Sequence, residues 1–215
     1  MRGRVDGRVR RGERNRDAIA QAYLDCIESG DLRPSAAAIA ERARVSVRTV
    51  HNHFDDMEAL FSAAARRRWE ELAPTAPPLP SPDLPLARRV EWVVEHRGEF
   101  YERVAPVRRA ALAWVHRSAE IASNFAQVDR ELRRRLQHLF GAELERGGID
   151  LLDAIDALTS WDMWNRLRNG QGCSPERARR VLVSLILARI GESERCASGA
   201  TVPTGLGGAT SRTPH

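Results

Sequence analysis

Residues 35–58 read Ser-Ala-Ala-Ala-Ile-Ala-Glu-Arg-Ala-Arg-Val-Ser-Val-Arg-Thr-Val-His-Asn-His-Phe-Asp-Asp-Met-Glu. Ser35 and Ser46 each precede a short helix-forming run, where a side-chain oxygen can accept from the first-turn N–H groups. The spacing predicts a helix over 36–43, a break at Arg44-Val45-Ser46 and a second helix over 47–54. Asp55-Asp56 predicts the cap of a third, from Met57 into Trp69. Two short helices across a tight turn form a helix-turn-helix. Ala40 is small where the two helices must cross. Ile39, Ala43, Val45 and Val50 fall on the inward side. Ser46, Val47, Arg48, Thr49 and Asn52 are left for the outer face.

The helical pattern continues on both sides. Ile19, Ala22, Tyr23, Cys26 and Ile27 mark one buried helix face, and Gly30 ends that helix. Downstream, Val90, Val93 and Val94 predict a helix near 85–103, and Pro106 opens another near 106–118. Apolar residues from Phe125 to Leu144 predict one long helix ending at Gly147-Gly148. Asp150 caps the next, which Gly170 closes; Ser174-Pro175-Glu176 opens the last. Alternating β-branched strands are missing, so the class is all-α. Residues 74–85 hold six prolines in twelve positions and cannot propagate a helix. The predicted order is a basic, disordered arm (1–13), a helix-turn-helix unit (14–73), a Pro-rich linker (74–85), a helical body (86–191) and a Gly/Ser/Thr-rich disordered tail (192–215).

Charge is unevenly spread. Residues 1–16 carry seven Arg against Asp6 and Glu13, a surplus of +5 that equals the charge of the whole chain. A basic arm on a neutral body suits a polyanion. Every basic residue is Arg. Cys26, Cys173 and Cys196 are scattered without a C-x-x-C pair, which argues for reduced thiols. No apolar run nears the roughly 20 residues that span a bilayer. No apolar stretch follows the basic start, so neither a secretory signal nor a membrane partner is expected, and the cytoplasm is the expected location.

The outer-face residue types fit duplex DNA. Arg48 can pair bidentately with guanine and Asn52 with adenine, while Thr49 or Val47 can touch a thymine methyl. Ser35 and Ser46, at helix starts, can hold phosphates. The run Ile39-Ala40-Glu41-Arg42-Ala43-Arg44-Val45-Ser46-Val47-Arg48-Thr49-Val50-His51-Asn52-His53-Phe54 resembles the signature of the TetR/AcrR family of transcriptional regulators, and Glu58-Ala59-Leu60 resembles that family's fourth helix. The resemblance covers about 14–68 and, more weakly, Ser160-Trp161 through Ile190. It implies a three-helix DNA-binding head, a connecting fourth helix, and a C-terminal helical bundle for ligand binding and dimerisation. It also implies a homodimer through helices near 150–170 and 175–191, a palindromic operator and release by a small molecule, with repression the expected outcome. In its terms His51 takes the place of a Tyr beside the DNA backbone, and His53 is a phosphate or packing contact. Arg44 stands where the family has a turn glycine, and Met57 where it often has a Lys that touches phosphate. The Arg-rich arm is then the natural source of phosphate contacts.

Trp92, His96 and Phe100 fall at i, i+4, i+8; with Trp114, Phe125 and Trp161 they are the candidate lining for an apolar or aromatic effector, against ordinary core packing. On that second reading the body only dimerises and fills its own interior. A third reading is a metal-dependent enzyme using His51, His53 and Asp55. Residues two apart on a helix point about 200° away from each other, which opposes a shared ion. No nucleophile–base–acid set or phosphate-cradling Gly loop is present, so no metal, cofactor or catalytic residue is assigned.

Overall fold

The computed structural model describes residues 3–197, with side chains from 10 to 196. Among the described residues there is no strand. The helices are α1 (Gly3–Glu28), α2 (Ala36–Arg42), α3 (Val47–His53), α4 (Met57–Leu72), α5 (Leu86–Ala111), α6 (Ala119–Leu139), α7 (Gly141–Leu158), α8 (Trp161–Asn165) and α9 (Pro175–Ala197). A 3₁₀ turn, Ala73–Thr75, follows α4, and a π turn, Arg166–Gly170, follows α8. No described helix is long and apolar enough to cross a membrane.

The chain forms two compact units. One comprises the chain up to Leu79 together with His96–Leu132; the other comprises Pro80–Glu95 together with the chain from Arg133. In the first unit, Ile19, Tyr23, Leu24 and Ile27 of α1 pack with Ile39, Ala40, Val50, Phe54, Leu60, Phe61 and Ala64. The same core takes in Val107, Ala110 and Ala111 of α5 and Ile121 of α6. The head core therefore does not end at residue 73; the far end of α5 and the start of α6 belong to it. Arg67 Nε donates to Gln21 Oε1 at 2.8 Å, and Arg68 pairs with Glu28, so α4 is also tied to α1 by polar contacts.

Several helix boundaries differ from the sequence reading. The arm is helical from Gly3, because its Arg and Glu residues are good helix formers and continue α1 without a break. The last helix likewise runs on to Ala197, and the rest of the expected tail lies outside the described residues. Pro106 lies inside α5 instead of opening a new helix. A buried Pro-flanking face (Val104, Ala105, Val107, Ala110, Ala111) outweighs a cost of roughly 3 kcal/mol. Residues 112–117 are turns. Finally, α6 and α7 part at Phe140, α7 bends at Gly148 (φ 63°), and Ser160 starts α8 by accepting from Met163 N at 3.2 Å. The expected single helices over 125–147 and 150–170 are thus each divided.

The break at Phe140 has a visible cause in the second unit. Arg89 and Glu143 are both buried, 6% exposed each. Arg89 donates to Glu143 Oε1 at 2.7 Å and Oε2 at 2.9 Å, to Leu84 O at 2.9 Å and to Leu139 O at 2.8 Å. The guanidinium takes a carbonyl at the end of α6 while gripping the first turn of α7. It satisfies both carboxylate oxygens, as a buried ion pair requires. Those bonds hold the Glu143 carboxyl below the ordinary glutamate range.

Glu143→Ala strands a buried guanidinium and should cost about 3 kcal/mol in thermal or urea unfolding. Because the folded carboxyl titrates lower than the unfolded one, this stabilisation is complete above the ordinary glutamate range. It drains away as pH falls through the lowered value. Acid melts of the parent and Glu143→Ala should converge; a constant gap would show that the pair does not titrate with unfolding.

Candidate nucleic-acid interface

The helix-turn-helix forms as its caps demand. Ser35 Oγ accepts from Ala38 N at 3.2 Å, and Ser46 Oγ accepts from Thr49 N at 3.1 Å. Asp56 Oδ1 accepts from Ala59 N at 2.7 Å and starts α4. Ile39, Ala40 and Val50 are buried. Ala43 and Val45 pack partly buried against the same core.

The turn keeps the left-handed residue that a glycine would normally supply. Arg44 has φ 56°, alone in that region among described non-glycine residues. Val45 N reaches Ala40 O at 2.9 Å and Arg44 N reaches Glu41 O at 3.1 Å, which is the paired closure of a helix by a left-handed residue. Gly30 closes α1 with the same two bonds. Arg44 thus holds a left-handed conformation that favours glycine, at a steric cost.

Of the eight residues assigned to DNA, Ser35, Ser46, Val47, Arg48, His51 and Asn52 are exposed; Thr49 and His53 are half-buried. Among the described residues, none makes a side-chain hydrogen bond or ion pair with the side chains of Arg48 or Asn52. Val47 keeps 41% of its surface exposed, unusual for a valine with a core beside it. The Ser46 and Thr49 hydroxyls bond each other at 2.8 Å. His53 lies against α1: a Cβ on Gly12 would stand 3.9 Å from its Cε1. Among the described residues no three His, Cys, Asp or Glu side chains gather as a metal site.

The aromatic and His residues assigned to an effector divide between the units. Trp92 and Trp161 lie in the second; His96, Phe100, Trp114 and Phe125 lie in the first. All six are half-buried. Trp114 stacks on Phe61 (6.5 Å between centroids) and packs against the head core. Burial pushes the Tyr23 phenol up to about 12. Phe125 lies beneath the Arg108 guanidinium at 4.6 Å, and Arg108 also pairs with Asp129 at 2.6 Å. Phe100 meets Trp69 of α4 edge-on at 6.3 Å. In the second unit, the Arg135 guanidinium stands 5.9 Å over Trp92.

One contact at this face escaped the sequence reading. Arg16, one of the basic run at the N-terminus, donates to His53 O at 2.6 Å, its guanidinium 4.3 Å over the Phe54 ring. Arg16 is itself exposed, and its place at i−3 from buried Ile19 was its signal in the sequence.

Residues 33–64 match the sequence model of the bacterial regulatory proteins of the tetR family. No match to the curated proteins was found. Among solved structures, the fold is similar to a transcriptional regulator from Rhodococcus sp. Rha1. The identity is 22%, covering 87% of this chain and 99% of that one, with a TM-score of 0.60. It is also similar to a TetR-like transcriptional regulator from Rhodococcus sp. RHA1. There the identity is 20%, covering 86% and 96% of the two chains, with a TM-score of 0.50.

Replacing Arg44 by Gly should raise the unfolding free energy by about 0.5–1 kcal/mol, the left-handed cost less glycine's extra unfolded-state entropy. A lowered melting temperature would show instead that the Arg44 side chain holds the turn.

Proposed function

We propose that this chain, whose residues 33–64 match the sequence model of the tetR family, is a transcriptional regulator of that family that binds a palindromic operator as a homodimer. The observation that carries the reading is the outer face of α3. Val47, Arg48, His51 and Asn52 stand exposed on a helix whose opposite face is locked into a core by Val50. That is the disposition needed for a rod to enter a major groove and read base edges. Ser35 and Ser46 lie at the starts of α2 and α3, where phosphates are held. Arg10, Arg11 and Arg14, exposed on α1, supply charge for the backbone.

Two copies of α3 should sit roughly 34–36 Å apart on the duplex. For the pairing of copies we assign α7–α8 and α9. These helices leave Ile149 (62% exposed) and Leu185 (44%) uncovered in the chain by itself. The reading gives the protein no catalytic step. Operator occupancy would repress a neighbouring promoter by excluding polymerase.

Release by an effector rests on α4. Trp69, 40% exposed at its far end, touches Phe100, with His96 one turn earlier on the same helix face. An apolar or aromatic ligand bound along that face would act on α4 directly. It could shift the protein only by binding one arrangement more tightly than the other. A second reading, a body filled by its own side chains, draws support from Trp114 and Phe125, which already have partners. Thermal shift against a panel of small aromatics separates the two.

Selection of genomic fragments by the purified chain tests the main reading, which requires a recovered palindrome and a two-fold complex. A monomer indifferent to sequence at moderate salt overturns it. On the selected duplex, Arg48→Ala should cost about 1–3 kcal/mol and relax base preference. Removing residues 1–13 should weaken binding to every duplex and flatten the salt slope by about 0.9 for each phosphate that is no longer neutralised.

A further inference from the structure

Arg16 belongs by sequence to the cluster whose charge suits phosphate, but its position in the fold gives it different work. α3 has seven residues, so most of its carbonyls have no donor inside the helix. Phe54 N serves Val50 O at 3.0 Å. The carbonyl of His53, the last residue of α3, is served from α1, by Arg16 NH1 at 2.6 Å. The same guanidinium lies over Phe54, 4.3 Å from the ring centroid, and Phe54 is buried. One turn earlier on α1, Gly12 abuts His53. A cation at a helix C-terminus also offsets the partial negative charge there.

We propose that Arg16 is a positioning residue for DNA reading: a strut from α1 that fixes the trailing end of α3, setting base discrimination and not phosphate affinity. The proposal rests on the reading of α3 as the recognition helix. Ser46 anchors one end of α3 and Val50 its middle; Arg16 completes the set. Without it the last turn of α3 frays, and Asn52, one residue before the bonded carbonyl, loses its aim. Among the described side chains, Arg10, Arg11 and Arg14 carry no such assignment.

The test uses the full chain, the duplex it selects from genomic fragments, and a shuffled-sequence duplex, each over a salt series. Arg16→Ala should lower affinity for the selected duplex about tenfold, the loss of one charge-assisted bond. Affinity for the shuffled duplex, and both salt slopes, should stay as in the parent. A slope reduced by about 0.9 on both duplexes would mark a phosphate contact and overturn the proposal. So would an undiminished preference for the selected duplex. If Arg16→Ala does not fold, Arg16→Gln decides by the same criteria, since it keeps an amide donor and loses the charge. A parent chain with no sequence preference would sink the recognition reading itself, and this proposal with it. A parent that discriminates beside an Arg16→Ala chain that still does sinks this proposal alone.

Discussion

A helix of seven residues is not stable by itself in water, because so short a run cannot repay the cost of its first turn. The proposed reading of DNA depends on such a helix, α3, being held as a rigid body by its surroundings. The holding is distributed. Ser46 closes the N-terminal end, Val50 and Phe54 bury one side, and Arg16 closes the C-terminal end. The left-handed residue at Arg44 turns the chain sharply enough for α3 to cross α2. Of these restraints only the turn carries strain, and the core beneath it is large enough to absorb a cost of roughly 1–2 kcal/mol.

The charge of the chain looks different once the partners are known. With Arg as its only strong base, the protein uses one residue type both for surface charge and for internal joinery. Arg89 is buried among a carboxylate and two carbonyls. Arg108 bridges Asp129 and the Phe125 ring, and Arg133 bridges Asp153 and Asp156. A planar fork with five donors suits these multiple contacts better than an ammonium would. The consequence is that counting Arg residues overstates the charge offered to DNA. Even within residues 1–16, Arg16 is committed to the protein.

Local signals were legible in the sequence and long-range ones were not. Caps at Ser35, Ser46 and Asp56 announced α2, α3 and α4, because a cap acts within three residues of itself. The outward face of α3 followed from helical periodicity once Val50 was assigned inward. The division of α6 from α7 could not be read, since the apolar stripe runs across Leu139 and Phe140 without interruption. What ends α6 is Arg89, fifty residues away. Pro106 misled for the converse reason: a local breaker was overruled by burial on either side of it. Arg16 is 37 residues from the carbonyl it serves, and in sequence it is one more Arg in a basic run. The aromatic spacing of Trp92, His96 and Phe100 placed them correctly on one helix, but periodicity does not say what each ring meets.

The extent of the head core bears on regulation. A Pro-rich segment between α4 and α5 suggests a loose joint, through which a tilt would dissipate. The core contradicts that picture within the first unit. Tyr23 of α1 meets Phe61 of α4 at 6.0 Å, Phe61 stacks on Trp114, and Val107, Ala110 and Ile121 pack into the same cluster. Four segments distant in sequence therefore share one close-packed interior, and interiors of that kind move between discrete arrangements instead of yielding continuously. A displacement of the far end of α5 must be accommodated by α4 and α1 together, since neither can move without opening a void beside Phe61. The proline segment is then only the covalent path. The mechanical path is the packed one, so the proposed effector, by favouring one packing over the other, would need no stiffness in the linker to be felt at α3.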